Sequence, residues 1–149
     1  MSKKPSTTNA DAERVIVSLL STADAARRHL AEAVEDRGLT LQQYNVLRIL
    51  RGAAPEPVPT MEVGARMIEK TPGVTRFLDR LEERGLVRRE RSGEDRRLVH
   101  AWITDDGLSL LGELDAPVAA ADRTVIAGLT TEETDRLVAA LERVRANVT

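Results

Sequence analysis

Between positions 15 and 34 apolar residues recur at steps of three and four: Val15, Leu19, Ala23, Ala26, Leu30 and Val34. That spacing stays on one face of a helix with 3.6 residues per turn, and Gly38 beyond it is a residue at which helices end. The pattern predicts a helix over 10–38, preceded by a polar tail over 1–9 that contains Pro5. A second helix opens at Thr40. Gln43 completes a capping box with it, and Leu39 and Tyr44 occupy the positions of a hydrophobic staple. This helix is expected to run to about Arg51 and stop at Gly52, because the following stretch AAPEPVP cannot continue it. Thr60 then reads as the N-cap of a short third helix through Arg66 and Met67.

The next element carries the clearest pattern. Thr71 and Pro72 read as an N-cap followed by proline in the first helical position, and Gly85 supplies the stop. Val74, Leu78 and Leu81 form the inward stripe, which leaves Thr75, Arg76, Asp79, Arg80 and Glu83 outward. After Gly85 the period changes. Leu86–Arg91 and Leu98–Ile103 are short β-compatible runs joined by the polar turn 92–97, which predicts a two-stranded hairpin. Thr104 with Asp105 and Asp106 caps a further helix bearing Leu111, Leu114, Val118, Ala121 and Val125 on one face. Thr130 and Glu133 form a capping box before Leu137, Leu141, Val144 and Val148. The fold class is mainly α with one small β-hairpin.

Composition narrows the chemistry. Among 149 residues only Tyr44, Phe77 and Trp102 are aromatic, so the core is aliphatic and suits helices. With no cysteine there can be no disulfide, thiolate metal site or nucleophilic thiol. No apolar run approaches the roughly 20 residues of a membrane span, so a cytoplasmic protein with no membrane partner is expected. The net charge of −2 does not by itself mark a nucleic-acid binder. Its distribution is more informative. From Arg84 to Arg97 there are six arginines against three acids, whereas from Asp105 onward nine acids face four arginines. The basic surface is confined to one segment.

A short helix leading through a tight turn into a capped second helix is the helix-turn-helix plan, whose second helix enters the major groove of duplex DNA. Thr71 to Arg80 form that expected surface. Arg76 and Arg80 are long enough to reach either phosphate or guanine, and Gly73 either lets backbone approach DNA or is a tolerated helix-start glycine. The hairpin is then a wing. An arginine at its tip, Arg96 or Arg97, can enter a minor groove, and Asp95 either orients the Arg97 guanidinium or is a turn residue.

The run TPGVTRFLDRLEERGLVRRERSGEDRRLVHAWITDDG resembles the signature of the MarR family: a recognition helix, the exit D-R-L-E-x-R-G-L-V, a basic wing with Asp-x-Arg, and a threonine opening the next helix. The similarity extends over roughly residues 12–148. It implies a winged helix-turn-helix DNA-binding domain over 39–104, flanked by dimerisation helices over 10–38 and 105–149, in a pseudo-two-fold homodimer. By the same resemblance Asp95 and Arg97 take the Asp-x-Arg positions, and Pro72, Gly73, Thr75 and Arg76 the groove-facing ones. One segment departs from the family pattern. Many relatives lead into the recognition helix through serines, whereas this chain has Glu69-Lys70-Thr71-Pro72-Gly73.

The resemblance further implies a repressor released by a small, often aromatic or phenolic, effector bound between dimerisation helices and winged helix. His29, Tyr44 and Arg48 are the candidate lining residues. No enzyme is expected, since there is no glycine-rich phosphate loop and no serine or carboxylate spaced to serve a histidine. Asp105 and Asp106 already have capping and dipole roles. Neither His29 nor His100 has the companions of a metal site, so no metal and no cofactor is expected. The alternative reading is a winged-helix protein-interaction module that does not bind DNA.

Overall fold

The computed structural model describes residues 8–149, so nearly all of the expected tail lies outside the described residues. Thr8 is already an N-cap. It closes a capping box with Asp11 and opens α1 (Asn9–Glu35). The chain reverses at Gly38, whose φ of 68° favours glycine, and enters α2 (Leu41–Ala53) through the Thr40–Gln43 capping box. Gly52 does not stop α2. The helix passes through it, and the break falls at Ala54 before Pro55, where proline cannot sustain the ladder.

The loop predicted after α2 contains a strand. β1 (Val58–Pro59) pairs antiparallel with β3 (Val99–Ile103), which pairs on its other edge with β2 (Val87–Arg91), so the expected hairpin is part of a three-stranded sheet ordered β1-β3-β2. Val58 and its partner Ala101 are both fully buried, and this burial selects the pairing. Two caps also differ from expectation. Helix α3 (Thr60–Arg66) is preceded by Pro59 and has no side-chain cap, so Thr60 is its first residue. Helix α4 (Val74–Glu83) begins two residues later than the Thr71-Pro72 reading: Gly73, at φ 126°, is its N-cap, and the first helical bond runs from Phe77 N–H to the Gly73 carbonyl. Thr71 makes no cap bond; its buried hydroxyl has no hydrogen-bond partner among the described residues.

Helix α5 (Asp105–Val125) is capped by Thr104, and α6 (Thr131–Ala146) by the Thr130–Glu133 box. The Thr104 hydroxyl also donates to the Gly85 carbonyl at 2.6 Å, tying the end of the wing to the end of α4. One aliphatic core joins Val34 of α1, Leu47 and Leu50 of α2, Leu78 and Leu81 of α4, and Leu111 and Leu114 of α5. Two surfaces stay outside it. The first half of α1 exposes Val15, Ile16, Val17 and Leu20, and α6 has no buried residue, with Leu137 and Val138 exposed. A groove of about 990 Å³ lined by Val15, Leu19, Ala23, Leu137, Leu141 and Val144 lies between these two helices.

Candidate nucleic-acid interface

Helix α4 is held by one face and offers the other. Leu78 and Leu81 are fully buried, with Val74 and Phe77 packed beside them, whereas Thr75, Arg76 and Arg80 are exposed. Val74 packs close over Gly64 of α3: a β-carbon at Gly64 would lie 3.2 Å from the Val74 side chain, so the small residue sets the helix-turn-helix spacing. Pro72 and Gly73 are exposed in the turn before α4, and Thr71 is half-buried beside them. Neither Arg76 nor Arg80 forms an ion pair among the described residues.

The six arginines of the basic segment divide into two groups. Arg84 caps the end of α1 by donating to the carbonyls of Gly38 and Arg37 at 2.8 and 3.0 Å. Arg88 lies 4.3 Å over the Trp102 ring and pairs with Glu90, so Trp102 is a packing partner on the wing. Arg89 is the most engaged. Its guanidinium donates to Glu82 at 2.7 and 3.0 Å and to Asp79 at 2.6 Å, and its backbone N–H donates to Glu82 at 2.9 Å. Burial disfavours its charge, but the hydrogen bonds to Glu82 and Asp79 outweigh that and hold its pKa above the ordinary arginine value. This clamp fixes the wing to the recognition helix. It was missed in the sequence, although Asp79 and Glu82 one helical turn apart were a usable signal.

Arg91, Arg96 and Arg97 have no ion-pair partner among the described residues, and all three are exposed on the wing. The expected bond between Asp95 and the Arg97 guanidinium is replaced by another. Asp95 Oδ1 accepts the backbone N–H of Arg97 at 2.9 Å, and the Asp95 carbonyl accepts Leu98 N–H at 2.9 Å. Ser92 Oγ accepts from the amides of Glu94 and Asp95. Asp95 therefore shapes the turn: a carboxylate two residues away reaches the nearby amide more easily than the end of a long side chain. The wing tip is a hydrogen-bonded turn bearing two guanidinium groups that are unpaired among the described residues.

His29, Tyr44 and Arg48 line neither the groove between α1 and α6 nor the smaller cavity beside α2. Tyr44 is buried in the core, where burial raises its pKa, with Arg48 5.9 Å from its ring centroid. His29 lies on α1 near Glu32, at 3.9 Å. A cavity of about 250 Å³ opens instead between α1 (Ala23, Ala26, Arg27, Leu30), α2 (Leu41, Gln42, Asn45) and the segment Met67–Glu69 that follows α3. Arg27 is its only cationic lining residue. Pocket position depends on how α1 packs over the α3–α4 turn, and periodicity within α1 and α2 does not show that. Among the described residues no group of three or more potential ligands is placed to hold a metal, and no helix is long and apolar enough to cross a membrane.

Residues 37–98, which contain both elements of the interface, match the family profile described as MarR family. A MarR transcription factor from Planctomyces limnophilus, of known structure, is 35% identical and superposes with a TM-score of 0.71 over 87% of this chain and 94% of its own. The homoprotocatechuate degradative operon repressor of Escherichia coli is 28% identical over 87% of this chain and 86% of its own length. The structure of Bordetella bronchiseptica BpsR, whose DNA binding is regulated by 6-hydroxynicotinic acid, superposes with a TM-score of 0.79 at 23% identity over 89% of this chain and 98% of its own.

Proposed function

The chain belongs to the MarR family of DNA-binding transcriptional regulators, and on that premise we propose that it is a homodimeric repressor which reads an inverted-repeat operator and is released by a small aromatic or phenolic effector. The observation that carries the DNA-reading part is the set of guanidinium groups left without partners among the described residues. Arg76 and Arg80 stand on the exposed face of α4, and Arg96 and Arg97 stand at the wing tip, while Arg84, Arg88 and Arg89 are taken up inside the chain. Guanidinium forks reach guanine edges in the major groove, and arginine suits the negative potential of a narrow minor groove. Thr71, Pro72, Gly73 and Thr75 flank the major-groove contact, and Asp95 holds the tip that presents Arg97.

The assignment of 39–104 to DNA and of 10–38 with 105–149 to dimerisation rests on the apolar faces of α1 and α6, which one chain leaves uncovered. The repressor role follows the relative from Escherichia coli, and the effector follows BpsR. The 250 Å³ cavity, largely apolar and with its Arg27 already paired to Glu69, suits a small aromatic or phenolic effector better than the Tyr44 region does, since Tyr44 is packed into the core.

Two variants separate the contacts by the kind of loss. Arg76→Ala is expected to weaken cognate binding by roughly 1–3 kcal/mol and to relax preference at one base pair per half-site. Arg97→Ala is expected to weaken cognate and scrambled duplexes alike and to lower the salt slope by about one counterion per half-site. Titration across salt concentrations checks both. Unchanged affinity in both variants, with the oligomer intact, sinks the DNA-reading assignment and favours an interaction module.

A further inference from the structure

The turn that departs from the family pattern, Glu69-Lys70-Thr71-Pro72-Gly73, is attached to the rest of the protein by one side chain in particular. Arg27 Nε on α1 lies 2.8 Å from Glu69 Oε1, and Gln42 Nε2 on α2 donates to Glu69 Oε2 at 2.6 Å. One carboxylate thus joins two helices at the rim of the 250 Å³ cavity. Just before it, Asn45 Oδ1 accepts Ile68 N–H at 3.0 Å, and Met67 is buried in the core. Just after it the attachments to α1 and α2 end. Thr71 N–H donates to the Glu69 carbonyl at 3.0 Å, the Thr71 hydroxyl has no partner among the described residues, and Pro72 and Gly73 are exposed up to the start of α4.

The two ends of α4 are consequently held in different ways. Its C-terminal half is fixed by Leu78 and Leu81 in the core and by Arg89 on Asp79 and Glu82. Its N-terminal end, where Thr75 and Arg76 project, rests on Val74 against Gly64 and the edge of the core, on the Lys70 ammonium donating to the Ala65 carbonyl of α3, and on the turn anchored at Glu69.

We propose that Glu69 is a positioning residue for DNA binding: through Arg27 and Gln42 it latches the α3–α4 turn to α1 and α2 and so sets the N-terminal end of the recognition helix. This rests on the DNA-reading assignment above and goes beyond it, because Glu69 itself touches no DNA in that assignment. Its sign is opposite to what simple charge predicts. Removing an acid from a turn beside polyanionic DNA should tighten binding by long-range electrostatics. Removing a latch should loosen it, because the reading residues then sample more positions before they dock. The pair is half-exposed, with side chains 45% and 31% accessible, so its effect is moderate.

The test measures binding to a duplex that the wild-type protein selects from a randomised pool, together with amide hydrogen exchange of the free protein. Glu69→Ala and Arg27→Ala are each expected to lose roughly three- to tenfold in affinity with the oligomer intact. The double variant should lose no more than either single one, since both break the same bridge. The exchanged pair Arg27→Glu with Glu69→Arg should recover most of the loss. Amides over 68–76 should exchange several-fold faster in Glu69→Ala while those of α2 and α5 stay as they were. Equal or tighter DNA binding by Glu69→Ala overturns the proposal, as do losses that simply add. If the wild-type protein selects no duplex, the DNA reading itself has failed, and exchange still decides the latch: faster exchange over 68–76 sustains it and unchanged exchange removes it.

Discussion

Gly107→Ala is expected to destabilise the protein by about 2–4 kcal/mol, although glycine-to-alanine replacement inside a helix ordinarily stabilises by up to about 1 kcal/mol. Gly107 lies in the first turn of α5 against the strand leaving α4. A β-carbon there would sit 2.4 Å from the Leu86 carbonyl oxygen and 2.7 Å from Ile103 Cγ1. Leu86 cannot easily retreat, because that carbonyl accepts Thr104 N–H at 3.1 Å and its side chain is buried. The strain therefore falls where the recognition helix, the wing and α5 meet. Gly112, also in α5, has nothing within 4 Å of its own would-be β-carbon, so Gly112→Ala should be neutral or slightly stabilising. Thermal melting checks the pair: Gly107→Ala should melt roughly 5–15 °C lower and Gly112→Ala at or above the wild type. Equal melting of both variants would mean that α5 does not approach Leu86 as closely as described.

Val15→Asp and Leu137→Asp are expected to raise the dimer dissociation constant about 1,000-fold or more, and to abolish operator binding with it. Val15 is 53% and Leu137 44% exposed in the single chain, so neither replacement should harm an isolated monomer. In a two-fold dimer each substitution appears twice. Each copy places an unpaired carboxylate among apolar groups at a cost of several kcal/mol, and about 4 kcal/mol is already a factor of roughly 1,000. Helix α6 gives the structural reason to expect this. It buries no residue within the chain, and most of a helix's stability in a protein comes from packing its apolar face against a partner surface. Analytical ultracentrifugation of both variants at micromolar concentration should show monomers of 16.4 kDa beside a wild-type dimer. Wild-type protein sedimenting as a monomer removes the dimer reading.

The parts of this architecture that were legible in the sequence are those written in local chemistry. The Thr40–Gln43 and Thr130–Glu133 boxes and the Thr104 cap each join residues three positions apart, and all three form. The inward stripe at Leu78 and Leu81 is equally local, and so is the change of period after Gly85. The parts that were not legible depend on distant partners. β1 exists because Val58 pairs with Ala101 on the neighbouring strand, far away in sequence, and the segment around it otherwise reads as a proline-rich loop. Thr71-Pro72 is a good helix start by local rules, yet the chain opens α4 after Gly73, where a positive φ directs the turn. Arg89 looked like one more cation of a basic wing until the fold brought Asp79 and Glu82 to it. The cavity formed where α1 crosses the α3–α4 turn, away from Tyr44.

Selection of binding sites from a randomised duplex pool, followed by footprinting of the enriched sequence, shows whether α4 and the wing read duplex DNA in two-fold symmetry. The expected result is an inverted repeat whose half-site centres lie about 34 Å apart, one helical turn, protected on both halves and released as salt is raised. Enrichment of no sequence at low salt, or a protected site lacking two-fold symmetry, contradicts it.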